Sequence, residues 1–398
     1  MRHKEDLKTI ERPIYLDFNA TTPIDHIVSE AMVPYLEEHF GNPSTNYVYG
    51  QRTKQAIDLA RKQVASLIGA KASEIVFTSG GSESDNHAII GTALANMQKG
   101  KHIITSSIEH PAVINTCRYL ETRLGFKVTY LPVDRYGLVS AAQVRRAITP
   151  ETILITVMHA NNETGTIEPI EDIGEVARHH GVSFHTDAAQ SCGKIPVDVK
   201  QLGVDLLTMA GHKLYAPKGI GALYVRTGVS LDPLVHGASQ ESGQRAGTEN
   251  VPYMVGLGLA CELAREDLEE YGPRLRALRD RLHSRISEGL GSDAVRLNGH
   301  PQRRLPNTLN ISIQGIVGEE LLAEIPEIAA STGAACHAGS TEPSSVLLAM
   351  GISRDWALGA LRLTLGRWST KDDVDTASDL IISRVERHGA ARHKRGHN

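Results

Sequence analysis

Two short apolar stretches end in residues that a buried strand does not need. SFHTD closes on Asp187, and LLTMAG runs into His212 and Lys213. Lysine is seldom buried without a partner or a covalent role, and a carboxylate ending an apolar strand also needs a counter-charge. Asp187 and Lys213 are therefore either a salt bridge or the two fixed points of a ligand. The second option pairs an amine that can condense with an aldehyde and an acid that can hold a ring nitrogen protonated.

Other strand ends carry polar side chains as well. TSGGSESDN places Gly81 and Ser82 at a strand-to-helix turn, where unpaired N–H groups favour an anion such as phosphate, or simply turn the chain. SSIEHPAV places His110 ahead of a helix, where a histidine caps the helix, fills space or moves protons near neutral pH. MHANNETG places Asn161 and Asn162 after a further strand. One amide there is turn chemistry, whereas two suggest hydrogen bonds to a ligand's polar rim. Pyridoxal phosphate, a phosphorylated pyridine aldehyde, could use all of these groups together.

The four cysteines, Cys117, Cys192, Cys261 and Cys336, form no C-x-x-C pair and no zinc spacing, which suits a reducing compartment and leaves no metal site to propose. Three of them read as inert small hydrophobes. Cys336 differs, because STGAACHAGSTEPSS surrounds it with small and polar residues, which predicts an exposed, mobile loop and a reachable sulfur.

The elements that must position these groups alternate regularly. EIVFTS, HIITSS, KVTYLPV, TILITVM, SFHTDA, LLTMAG and GALYVR read as strands, with helical patterns between most of them. The pattern predicts an α/β fold: a mostly parallel seven-stranded sheet covered by helices on both faces, with one antiparallel strand at an edge. Beyond Asn250 come long helical patterns interrupted at Gly272-Pro273, then shorter strands such as NTLNISI and ALRLTLG, which predict a smaller α+β domain. The division places 14–265 in the large domain, and 1–13 with 266–398 in the small one, which carries the cysteine loop at about 331–345.

Composition narrows the function. The chain has 398 residues, 41% of them hydrophobic and 22% charged, so it can bury full cores. A net charge of -4 gives no general basic field for nucleic acid. The N-terminal MRHKEDLKTIERP has no apolar signal-peptide core, and no run is long enough to span a membrane, so the reading is cytoplasmic. The basic end RHGAARHKRGHN reads as a solvated tail.

TSGGSESDN, SSIEHPAV, MHANNETG, HTDAAQS, GHKLYAPKGIGALYVR, GQRAGTEN, STGAACHAGSTEPS and ALRLTLGR, in that order, resemble the motif series of the cysteine desulfurases. These are fold-type I pyridoxal-phosphate enzymes, and the selenocysteine lyases share much of the series. The resemblance implies that Lys213 forms the Schiff base, that Asp187 faces the pyridine nitrogen and that His110 stacks on the ring. Gln190 and Asn162 would bond its phenolic oxygen and neighbouring edge. Gly81, Ser82, Ala210 and His212 would hold the phosphate, with Thr248 reaching in from the second subunit of a homodimer. Ala210 stands where most members have Ser, which removes one side-chain contact. Arg362 would clamp the substrate carboxylate, helped by Asn42 and Arg245. Cys336 would take sulfur from L-cysteine as a persulfide, leave L-alanine, and pass the sulfur to an acceptor protein of iron–sulfur assembly, tRNA thiolation or DNA phosphorothioation. His337 stands where many members have Thr or Ser and also occurs in selenocysteine lyases. A selenocysteine lyase, or another pyridoxal-phosphate lyase or aminotransferase, is the alternative.

Overall fold

A computed structural model describes residues 12–333 and 342–395, with side chains as far as residue 388. Its strands are β1 (Ile14–Tyr15), β2 (Ile75–Thr78), β3 (His102–Ser106), β4 (Lys127–Leu131), β5 (Thr152–Thr156), β6 (Ser183–Asp187), β7 (Leu206–Ala210), β8 (Gly221–Val225), β9 (Val295–Leu297), β10 (Thr308–Ile313), β11 (Ile328–Ala329) and β12 (Ala360–Thr364).

All seven strands expected of the large sheet form, in the order β2-β8-β7-β6-β5-β3-β4. Neighbours from β7 through β6, β5 and β3 to β4 pair in parallel, while β8 runs antiparallel to both β7 and β2. The antiparallel strand therefore lies inside the sheet rather than at an edge. Only a short turn separates Ala210 from Gly221, and so short a link can join antiparallel neighbours alone. β2 then closes the outside of β8 and regains the common direction. Strands β2, β3, β5 and β7 are buried at every residue, as expected for a sheet covered on both faces. The carboxyl ends of β2, β3, β5, β6 and β7 consequently emerge along one side.

Helices start on local signals. Asp25 caps His26–Glu37 by accepting the Ile27 N–H, and His110 caps Pro111–Leu124, with proline at the first helical position. The helix that follows β2 begins at Gly81 and carries a π turn at His87–Gly91.

One helix, Val251–Leu290, continues unbroken through Gly272-Pro273, where the sequence predicts a break or kink. An interior proline costs about 3 kcal/mol. Burial of Tyr271, Leu275, Leu282 and Ile286 in the core beyond it outweighs that at roughly 2 kcal/mol per side chain. Before the proline the same helix buries Val251, Met254, Leu257, Ala260, Cys261 and Ala264 against the core of the large sheet. The second core is built on the antiparallel sheet β12-β10-β9. It also takes in Leu16, and β1 pairs in parallel with β11, so the start of the described chain packs with this second body.

Candidate active site

A cleft of about 1370 Å³ opens where the carboxyl ends of the large sheet face the second body. Asp187 and Lys213 both line it. They come from adjacent parallel strands, with Asp187 opposite Thr208 in register and Lys213 in the turn after β7. They are not joined to each other: the Lys213 amine donates to the carbonyls of Asn19 and Ala20, at 2.5 and 2.7 Å, and Asp187 Oδ1 accepts the Ala189 N–H at 2.9 Å.

Burial pushes the Asp187 carboxyl up, opposed by the nearby His110 and Lys213. Burial also brings the Lys213 amine down to about 8, reinforced by Arg362 and opposed by Asp187 and Asp17. The result is an acid with no direct ion pair among the described residues and an amine that is partly neutral near physiological pH.

The remaining expected groups are placed one by one. His110 lines the cleft, and its Nδ1 accepts the Ala112 N–H at 3.2 Å, which puts the neutral ring's proton on Nε2. The two adjacent asparagines divide the work. Asn161 is fully buried, and its Oδ1 accepts from the N–H groups of Glu163 and Thr164, so it builds the turn. Asn162 lines the cleft. Gln190 is buried at the wall, donating Nε2 to the Asn19 carbonyl at 3.0 Å.

Gly81, Ser82, Ala210 and His212 also line the cleft. Gly80, at φ 149°, makes the turn into the helix and leaves its N-terminus with no side-chain cap. The first N–H groups of that helix therefore remain as donors. A Cβ on Gly81 would come within 3.2 Å of the Ala210 methyl, so the two residues pack closely at this corner. His212 Nδ1 bonds Thr21 Oγ1 at 3.2 Å.

Arg362 reaches the cleft from β12 and is buried, with Nη2 on Asp17 Oδ1 at 2.8 Å and Nη1 on the Asn162 carbonyl at 3.2 Å. Its Nε has no partner among the described residues.

Three of the expected residues do not line this cleft. Arg245 is held by Glu83, with Nε 2.9 Å from Oε1, and Glu83 rather than Arg245 faces the space. Asn42 is exposed and accepts the Ser44 N–H at 2.9 Å. Thr248 is exposed in the segment before the long helix. Cys336 and His337 lie outside the described residues. The other three cysteines are buried, and burial raises each thiol, that of Cys117 to about 12.

Residues 14–376 match the model of the aminotransferase class-V family. "Cysteine desulfurase IscS" of Methanosarcina thermophila is 52% identical over 385 residues, covering 96% of this chain and 94% of that protein. The chain belongs to the class-V aminotransferase family, in its cysteine desulfurase branch. Among solved structures, a "NifS-like protein" superposes with a TM-score of 0.88 at 37% identity, covering 94% of this chain and 99% of that one. "SspA in complex with cysteine" superposes at 0.77 with 42% identity, covering 89% and 99%.

Pyridoxal phosphate is the cofactor of this cysteine desulfurase branch, and the residues present fit it. Burial raises the Asp187 carboxyl, and a protonated ring nitrogen beside it would be the opposite charge that offsets that cost. The uncapped helix start at Gly80 and Gly81 offers the donors a phosphate needs.

Sequence reasoning missed the residue at the centre of the site. Asn19 receives Lys213 and Gln190 on its carbonyl. Its side chain accepts from Lys194 and Asn307 and donates to Thr308 and the Asn162 carbonyl. The signal available was an amide placed straight after an apolar run in YLDFNATT. Glu109 and Asp85 were missed too: both are buried side chains at the cleft wall, and burial raises both acids, Glu109 to about 8.

Proposed function

We propose that this protein is a pyridoxal-phosphate-dependent cysteine desulfurase that converts L-cysteine to L-alanine and carries the sulfur as a persulfide on Cys336 to an acceptor protein. The observation that carries the reading is the convergence, on one cleft at the ends of parallel strands, of an amine brought down to about 8, a buried acid with no direct ion pair among the described residues and an uncapped helix start.

Lys213 would hold the cofactor covalently, Asp187 would hold its ring nitrogen and His110 its ring face. Gln190 and Asn162 would take the phenolic edge. The phosphate would rest against Gly81, Ser82, His212 and the backbone of Ala210, with Thr248 supplied by a second copy of the chain. The bound cofactor supplies an electron sink next to the substrate's amino group.

The chain's own groups do the rest. Arg362 binds and orients the substrate carboxylate, for which a planar guanidinium is better suited than an ammonium. Lys213 Nζ takes the proton from the α-carbon and returns one. His110 Nε2 holds the proton of the substrate sulfur, and the Cys336 thiolate takes that sulfur. The sum is balanced: the Cys336 thiol and L-cysteine become the Cys336 persulfide and L-alanine. A C–S bond is replaced by a C–H bond, an S–S bond forms, and the two electrons lost by sulfur reduce carbon. A thiol on a scaffold, tRNA-thiolation or DNA-phosphorothioation protein would then receive the sulfur.

Val33, Leu36, Phe40, Val48 and Tyr49 form an exposed apolar face, with the Phe40 and Tyr49 rings 5.5 Å apart, beside Asn42. A lone subunit gains nothing from such a face, which favours the homodimer. No helix of the described residues is long and apolar enough to cross a membrane. Together with the scattered thiols this favours the cytoplasm. We also infer a domain division near residue 265, between the last contact of the long helix with the first core at Ala264 and its first with the second at Tyr271.

Cysteine added to the yellow protein should yield alanine and add the mass of one sulfur atom to the peptide bearing Cys336; alanine without that gain would point to a different lyase. Arg362→Ala should raise the KM for cysteine by about 10- to 150-fold, the loss of charge-assisted hydrogen bonding at roughly 1.5–3 kcal/mol. An unchanged KM in steady-state kinetics would remove Arg362 from the substrate site.

A further inference from the structure

Lys194 is a second lysine at this site, and the reaction does not use it. It is 3% exposed, deeper than Lys213, and among the described residues its amine bonds neutral oxygens alone: Gln190 Oε1 at 2.9 Å and Asn19 Oδ1 at 3.3 Å. The charges that act on it most, Lys213 and Arg362, are both repulsive, with only the buried Cys192 thiol opposing them. Burial and this repulsion bring it down to about 7. A buried amine without a carboxylate is costly, and an aliphatic side chain would pack at no such cost.

Its geometry shows what that cost achieves. The two ends of a glutamine amide are nearly the same shape, so partners decide which way it faces. An amine of lysine has donors to offer and, when charged, nothing else. Lys194 therefore draws Gln190 Oε1 to itself and turns Nε2 the other way, where one N–H meets the Asn19 carbonyl at 3.0 Å. The second N–H of Nε2 has no partner among the described residues, and Gln190 lines the cleft. Through Asn19 Oδ1, the same amine also braces the residue whose carbonyl receives Lys213.

We propose that Lys194 is a positioning residue of the cofactor site: by holding Gln190 Oε1 and Asn19 Oδ1 it makes Gln190 present a donor to the phenolic oxygen of the cofactor. The inference rests on the proposed cofactor reading, with Gln190 at that oxygen. A donor there favours the ionised oxygen and weakens its hold on the neighbouring imine proton. Losing the donor should make that proton harder to remove.

The test is the pH titration of the visible absorption band of holoenzyme, which reads the lysine-bound cofactor without turnover. Lys194→Met should move the midpoint up by about one pH unit, the size of one hydrogen bond to a charged group. Lys194→Gln, which can still donate to Gln190 Oε1, should recover most of that shift. Because Lys194 acts through Gln190, the methionine change should add little in a Gln190→Ala background. A midpoint unmoved in Lys194→Met, or moved equally with and without Gln190, overturns the proposal. Should Lys194→Met fail to fold, Lys194→Gln compared with Gln190→Ala decides: a midpoint shift in Lys194→Gln as large as that in Gln190→Ala also overturns it. Failure of the underlying reading looks different, since the wild-type protein would then show no visible band that Lys213→Ala abolishes.

Discussion

Lys213→Ala should give protein without a covalently held yellow band and with cysteine turnover lower by about 10⁴-fold. The size follows from two losses at one atom, the attachment point and the group that moves the α-proton. Fold stability should change little. The Lys213 amine lines a cleft, and its removal leaves the carbonyls of Asn19 and Ala20 facing that open space. The wild-type amine carries its own pH signature. Reaction with an aldehyde needs the neutral form, and burial lowers the folded-state value to about 8. An ordinary lysine would be neutral in well under one molecule in a thousand at pH 7, whereas this one is neutral in roughly one in ten. Uptake of added pyridoxal phosphate by cofactor-free protein, followed by absorbance, should rise about tenfold from pH 6 to pH 7 and flatten above pH 8. A borohydride-trappable band retained in Lys213→Ala, or uptake still climbing steeply at pH 9, would move the attachment to another amine.

What was legible in the sequence was whatever is local. The seven strands of the large sheet announce themselves by apolar runs, and Asp187, His110, Asn162 and Lys213 stand out because polar residues close those runs. Topology was less legible. A short link between Ala210 and Gly221 implies antiparallel pairing, but only the return of β2 to the outer side of β8 makes that strand interior. Pro273 misled because its penalty is local, while the burial that overrides it comes from a second core assembled from distant segments. Asn19 and Lys194 were invisible for the same reason. Asn19 meets Gln190 across 171 positions and Lys194 across 175, and neither contact leaves a pattern in either stretch. Arg245 shows the converse: its residue type suited a carboxylate, and the fold supplies one from Glu83.

The second large effect concerns the sulfur itself. Cys336→Ala should retain the yellow band and bind cysteine, yet lose persulfide and sulfide production by at least about 10³-fold, the contribution of a positioned nucleophile. The separation of colour from turnover gives the experiment its force. Lys213→Ala removes both, whereas Cys336→Ala leaves the cofactor site of Lys213, Asp187, Gln190 and His110 intact, so the band should still change when cysteine is added. The other thiols offer no substitute, because Cys117, Cys192 and Cys261 are buried and their thiols are raised by that burial, which keeps them protonated and out of reach. Alanine release should fall with sulfur release, since the C–S bond breaks only as a thiolate takes the sulfur. If Cys336→Ala instead kept full alanine production, the sulfur would be leaving by elimination rather than by transfer to the chain. The protein would then be a lyase on this scaffold, with no role for a persulfide.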